Sequence, residues 1–123
     1  MTVAIRQEIE QAAYRPWKHL QSAGMAGAFA KLQITATETF FKVAWFYGIK
    51  GVPTDGSAAA TSNTGDVYVG QKDPTAPTEF YLVDLVSPGE AMKVEAPEGG
   101  KLNLAEFYVT GNTAADRVLV KYH

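Results

Sequence analysis

The sequence predicts an all-β fold: a single antiparallel β-sandwich or jelly roll of about seven to eight strands with an N-terminal arm. Three observations predict it. From Ala28 onward, apolar and polar residues alternate with period two. The alternating runs are bounded by clusters of Gly, Pro, Asn and Asp at short spacing. Of the 123 residues, 46% are hydrophobic and 20% charged, a balance that supports a packed core rather than disorder. By surface scaling, a chain of this mass exposes roughly 6,450 Å² when folded against roughly 19,300 Å² unfolded, so about two-thirds is buried. One domain of that size needs no staples.

Taken in order, Ala28 to Thr35 places Ala30, Leu32 and Ile34 on one face and Lys31, Gln33 and Thr35 on the other. Thr39 to Tyr47 is apolar on both sides (Phe41, Val43, Trp45 and Tyr47 against Phe40, Ala44 and Phe46), which predicts a strand covered on both faces. Gly48 to Gly65 has small polar residues and no apolar period, so it reads as a long loop. Asp66 to Gly70 is a short strand with Val67 and Val69 inward. After a loop holding Asp73-Pro74 and Ala76-Pro77 comes Glu79 to Val86, again apolar on both faces. Ser87-Pro88-Gly89-Glu90 carries Pro and Gly in the central positions a type II turn prefers. Met92 and Val94 alternate with Lys93 and Glu95, and Pro97 to Gly100 turns the chain again. In Leu102 to Thr110 the pair Leu102/Leu104 and the pair Phe107/Val109 are out of phase, which requires a bulge or kink near Ala105. Asp116 to Tyr122 turns Val118, Val120 and Tyr122 to one side.

The first residues admit two readings. Ile5, Ile9, Ala12, Ala13 and Leu20 fit a helical stripe; Val3, Ile5, Gln7 and Ile9 fit alternation. Pro16 breaks a helix running through it. The β character of the remainder favours an extended arm, residues 1–24, entering the first strand near Trp17, with the β domain over 25–123.

Composition removes several classes of function. There is no cysteine, hence no disulfide, thiolate nucleophile or cysteine zinc site. A net charge of -2 gives no basic surplus for a nucleic-acid backbone. The first ten residues lack the apolar stretch of a signal peptide. No run approaches the ~20 apolar residues of a spanning helix. The expectation is a soluble chain, synthesised in a cytoplasm, with no membrane or nucleic-acid partner.

The inventory for chemistry is thin. His19 and His123 are the two histidines, and the terminal one is expected to be loose. Ser22 lies near His19 in sequence, but no nucleophile elbow accompanies it, and an exposed polar histidine is the simpler account. The acidic pairs Glu8/Glu10 and Glu95/Glu98 read as solvated charges rather than a glycosidase pair. Asp84 shares its face with Phe80, Leu82 and Val86, so it is expected inward, satisfied by buried partners or by a subunit contact. Asp55-Gly56-Ser57 and Asn63 to Asp66 lack calcium-loop spacing and fit turn chemistry. Gly24 to Gly27 is no phosphate loop, since no lysine and helix follow. No catalytic residue, metal or cofactor is expected. Tyr68, Tyr81, Tyr108 and Tyr122 sit on strands with apolar neighbours; they serve packing or form a sugar-stacking platform.

The punctuation of the chain resembles a known group. Gly65-Asp66-Val67-Tyr68-Val69-Gly70, Leu85-Val86-Ser87-Pro88-Gly89-Glu90, Leu104 to Gly111 and Asp116 to Tyr122 form a recurring layout, and Gly27 to Thr37 resembles its first core strand. This layout is similar to that of small β-sandwich virion proteins of tailed bacteriophages, which decorate or cement a capsid. The resemblance covers roughly residues 24 to 123 and rests on strands and turns, not on catalytic motifs. It implies a non-enzymatic structural protein on the virion's capsid surface, bound to the major capsid protein as a homo-oligomer, commonly a trimer. The Gly48 to Gly65 loop and the Pro16 arm have no counterpart in that pattern. Met1 to Lys31 carries Arg6, Arg15, Lys18 and Lys31 against Glu8 and Glu10, a balance of +2 over a remainder at -4. A basic arm suits an acidic shell. Ile5, Ile9, Tyr14, Trp17 and Leu20 are the candidate arm contacts, with Asp84 as a subunit contact. The alternative expectation is a carbohydrate-binding or receptor-binding module of tail-fibre type.

Overall fold

A computed structural model describes residues 17–25, 27, 29, 31–50, 61–72 and 80–123. Their regular structure is all β apart from one 3-10 turn. The strands are β1 (Lys18–Gln21), β2 (Leu32–Gln33), β3 (Phe40–Phe41), β4 (Val43–Tyr47), β5 (Ile49–Lys50), β6 (Thr61–Ser62), β7 (Val67–Lys72), β8 (Phe80–Val86), β9 (Ala91–Glu95), β10 (Leu102–Asn103), β11 (Phe107–Gly111) and β12 (Leu119–Tyr122). They form four antiparallel sheets: β1-β12-β4-β9, β2-β11-β7-β8, and the pairs β10-β3 and β5-β6. The expected seven to eight strands therefore become twelve segments, because β2, β3, β5, β6 and β10 are two-residue pieces.

Both four-stranded sheets contribute to one core, and alternation selects the residues that do so. Ala44 and Phe46 of β4 and Val120 of β12 point in from one sheet. Val67 and Val69 of β7 and Phe107 and Val109 of β11 point in from the other. The Phe107 ring sits 5.6 Å from Phe46 and 5.7 Å from Phe41, so β11, β4 and β3, from three different sheets, meet through aromatic side chains. Leu104, Val86, Val118, Ile34 and Met25 close the cluster.

Two phase changes are built into the backbone. The kink required near Ala105 is the 3-10 turn at Leu104–Glu106, capped by Asn103, whose side-chain oxygen accepts from the N–H of Ala105 at 3.1 Å and of Thr39 at 2.9 Å. It lets Leu104 and Phe107 both enter the core. The Thr39 to Tyr47 segment is corrected in the same way. It is broken at Lys42, where the N–H groups of Lys42 and Val43 donate to the His123 carbonyl at 2.8 and 3.1 Å. Phe41 and then Ala44 and Phe46 consequently face one core, while Val43, Trp45 and Tyr47 are half-buried outside it. His123, expected to be loose, is held by these bonds and by its own N–H to the Val43 carbonyl at 3.0 Å.

The long loop is also shorter than its composition indicates. Ile49–Lys50 pairs with Thr61–Ser62, leaving residues 51–60 outside the described chain. At its base, Gly48 donates to the Glu90 carbonyl at 2.9 Å and accepts from Asn63 and Gly89, each at 3.0 Å. A Cβ at Gly48 would lie 2.6 Å from the Ser87 carbonyl oxygen. Only glycine lets the loop base and the β8–β9 turn come this close. That turn has the expected form, with Gly89 at φ 77° and Glu90 donating to the Ser87 carbonyl at 3.0 Å.

Behind the loop base lies a buried carboxylate. Asp116 is 1% exposed. Its Oδ1 accepts from the Thr64 N–H at 2.9 Å and from Lys50 Nζ at 3.2 Å, and its Oδ2 accepts from the Gly65 N–H at 2.8 Å. Next to it, the Asn63 side chain clamps Arg117, accepting from its N–H at 3.1 Å and donating to its carbonyl at 2.7 Å. Burial alone would raise the Asp116 pKa; the Thr64 and Gly65 N–H groups and the Lys50 ammonium outweigh it and hold the carboxyl below its ordinary value.

Gly48→Ala lowers unfolding free energy by about 1–3 kcal/mol in urea titration, because backbone must move. Asp116→Asn places an amide N–H against a backbone donor and costs about 2–3 kcal/mol near neutral pH. A carboxyl with a lowered folded pKa stabilises the protein above its unfolded pKa of about 4, and that contribution fades as pH falls through the folded value. Thermal unfolding across acid pH therefore shows a steeper loss of Tm below about pH 4 in the native chain than in Asp116→Asn.

Candidate binding face

The residues singled out for catalysis are not brought together. His19 is exposed on the edge strand β1, opposite Lys121. Ser22 is buried; its hydroxyl accepts from the Val118 N–H at 2.9 Å and donates to the Ala23 carbonyl at 3.0 Å. Three positions apart along an extended segment, the two side chains leave on opposite faces. The Asn63 to Gly65 stretch spends its polar groups on Asp116 and Arg117. Among the described residues, no three carboxylate or imidazole groups gather at metal-binding distance.

The candidate contact residues divide. Ile5, Ile9 and Tyr14 lie outside the described residues. Leu20 is half-buried against the core and sits opposite Val120, within the strand that ends the 1–24 segment. Trp17 packs edge-on against the His123 ring at 4.1 Å, with Lys121 Nζ 4.9 Å from its ring centre. Both are thus engaged by this chain's own sheet. Asp84 is corrected: it is exposed, and its Oδ1 accepts from the Leu85 N–H at 2.8 Å. Its face is indeed shared with Val86, but β8 is the last strand of its sheet, and the ladder slips between Val69 and Gly70. Val69 opposes Asp84 and Gly70 opposes Leu82, so Val83 is the additional residue of a bulge. On this side of β8, Val86 is buried in the core opposite Val67, whereas Asp84, next to the bulge, is exposed.

The two four-stranded sheets present different outer surfaces. On β1-β12-β4-β9, Lys93 Nζ stands 5.7 Å from the Trp45 ring centre and pairs with Glu95, and Lys121 covers Trp17. Cations shield those indoles from full exposure. On β2-β11-β7-β8 the apolar groups are bare. Tyr81, Leu82, Val83 and Leu85 of β8 are 62%, 64%, 40% and 42% exposed, and Phe29 is 54% exposed with its ring 6.1 Å from that of Tyr68. Successive large apolar side chains on one sheet edge are a feature that marks binding surfaces.

A pocket of about 150 Å³ opens in this face, lined by Lys31, Tyr68, Gly70, Tyr81, Leu82, Tyr108, Val109 and Thr110. The register explains it. Across the sheet, Gly70 lies between Tyr108 and Leu82, and one step along, Tyr68 lies between Thr110 and Leu85. Glycine in the middle of that row removes a side chain and leaves a notch walled by tyrosines. Thr110 borders the pocket, but its Oγ1 is buried beyond the reach of solvent, without a hydrogen-bond partner. Tyr68, Tyr81 and Tyr108 were legible as a platform; the notch was not, because it depends on Gly70 standing opposite those side chains. The exposure of β8 had a sequence signal in Phe80 to Val86, two-sided and apolar with a single charge, but such a run fits a central strand equally well. Comparison with protein-family models, with curated proteins and with solved structures finds no match to this chain.

Proposed function

We propose that the chain is a non-enzymatic virion structural protein, a β-sandwich of jelly-roll type that docks on the outer capsid surface of a tailed phage and cements neighbouring major capsid subunits. The single observation that carries a docking role is the exposed apolar edge strand β8: Leu82 and Leu85 stand on the outer face of β2-β11-β7-β8 beside Gly70 and Tyr68, and Tyr81 and Val83 of the same strand are exposed as well. The shared core in which Phe46 and Phe107 meet supports the sandwich arrangement. The layout of strands and turns described above supplies the capsid as the partner. Apolar surface left bare on a small domain is covered in an assembly, which favours a homo-oligomer, with the trimer first. The arm of residues 1–24, with Ile5, Ile9 and Tyr14, is the bridge in this reading; within it, β1 pairs with β12.

Co-sedimentation with purified phage capsids tests this, together with light scattering of the free protein. The native chain pellets with capsids, Leu82→Asp lowers its affinity by tenfold or more, and deletion of residues 1–16 abolishes pelleting. A monomer that stays in the supernatant overturns the reading.

A second reading, a carbohydrate- or receptor-binding module, is favoured by one specific observation: the tyrosine-walled pocket on the same face. The two readings compete for Leu82.

A further inference from the structure

We infer that the β5–β6 hairpin is a separately opening unit of the fold, latched shut by the Asp116 carboxylate, and that acid releases it while the two four-stranded sheets stay folded. The hairpin's attachment, its absence from the core and the position of its latch each lead there.

Along the chain the hairpin joins the two large sheets. β4 runs through Gly48 into β5, and β6 runs through residues 63–66 into β7. In the described chain, however, β5 and β6 pair with each other and with no strand of those sheets. Residues 49–50 and 61–65 add no side chain to the hydrophobic core or to the apolar groups packed on it; Ile49 is half-buried outside that cluster. What holds this segment to the body is polar. The Asn63 side chain grips the Arg117 backbone, and the Thr64 and Gly65 N–H groups and the Lys50 ammonium reach Asp116. Hydrogen bonds given up to water are largely replaced there, whereas apolar groups drawn out of a core gain nothing in exchange. A segment held in this way opens at lower free energy than the core beside it.

Three of those bonds end on one carboxylate. When it is ionised, both oxygens accept and all three donors are answered. Protonation removes the charge that Lys50 faces and turns one oxygen into a donor, so an N–H on the hairpin loses its acceptor. Opening hands the neutral carboxyl and the freed N–H groups to water. Lys50 is the charged side chain in contact with Asp116; Asp66, next to Gly65, and Arg117, next to Asp116, are exposed. From its other sides Asp116 meets Thr113 and Met25 through backbone bonds, and neither titrates. Its carboxyl is held below the ordinary value, so the latch is fully engaged above the unfolded pKa of about 4 and lets go as pH falls through the folded value.

Amide hydrogen exchange on the full ¹⁵N-labelled chain tests this, with urea added in steps below the unfolding transition. Near neutral pH the amides of Asn63, Thr64, Gly65 and Arg117 exchange together, about tenfold or more faster than those of Val69 and Val120, and with a shallower dependence on urea. As pH is lowered from about 6 to about 3, their protection drops about tenfold further before that of Val69 and Val120 changes. Asp116→Asn brings the fast exchange to neutral pH and removes the acid step; should that variant fail to fold, the native chain alone decides. One common rate and one urea slope for all these amides overturns the separate unit. Early opening of the hairpin with no acid step overturns Asp116 as its latch.

Discussion

A buried carboxylate needs its charge answered, and the chain folds so that Asp116 is answered by three donors from far away in sequence. Thr64, Gly65 and Lys50 all converge on it. A charge taken out of water without such partners would not stay ionised. Its satisfaction therefore dictates where the β5–β6 hairpin ends and how β12 begins. The backbone carries the same constraint further. The Asp116 carbonyl accepts from Met25 at 2.8 Å, the Met25 carbonyl accepts from Ala115 at 3.0 Å, and the Ser22 N–H donates to the Val118 carbonyl at 2.9 Å. The exit of β1, the loop base and the entry to β12 are thereby one hydrogen-bonded unit. Ala115 takes a left-handed φ of 72° to make that geometry possible. A strained alanine beside a fully partnered carboxylate is consistent with strain held by surrounding bonds.

The elements most legible in the sequence are those whose structure is decided locally. Val67/Val69 and Val118/Val120 face the core because alternation leaves them no other choice. Gly89 is decided by the four residues of its own turn. The kink near Ala105 was readable because a phase error is visible within nine residues. Lys42 shows the other case: the break there depends on the His123 carbonyl, eighty-one positions along the chain. Likewise, Ile49 and Lys50 carry no strand signal of their own and become a strand because Thr61 and Ser62 lie alongside. Asp116 itself sits before an ordinary alternating strand, and nothing near it in sequence announces that Asn63 to Gly65 will reach it. Asp84 was misplaced for a related reason. Alternation assigns a face only where the ladder is regular, and the bulge at Val83, which puts Leu82 and Asp84 on different faces, depends on how β7 pairs with β8.

The candidate site was legible in kind and not in place. Tyrosines on strands with apolar neighbours indicate packing or stacking, and the sequence offers no means of choosing. The choice is made by lateral order: β11, β7 and β8 set Tyr108, Gly70 and Leu82 in one row, so that the aromatic group stands beside a gap rather than beside another side chain. On the opposite sheet the same residue class is used differently. Trp45 and Trp17 each lie under a lysine, which keeps the indole from being an adhesive surface while retaining its packing area. The contrast between a cation-covered sheet and a bare one gives the molecule a polarity that its near-neutral charge does not reveal.

An apolar edge strand is hazardous, because its free backbone groups invite another strand and hence open-ended association. Here β8 carries two devices against that outcome while leaving its side chains available. The additional residue at Val83 breaks the regular spacing of the ladder, so an incoming strand cannot stay in register along the whole edge. Asp84, whose carboxylate accepts from the Leu85 N–H at 2.8 Å, sets a charge in the middle of the patch. The edge is thereby adapted to recognition through side chains rather than through backbone pairing. An edge of that kind resists open-ended strand addition while its apolar side chains stay exposed.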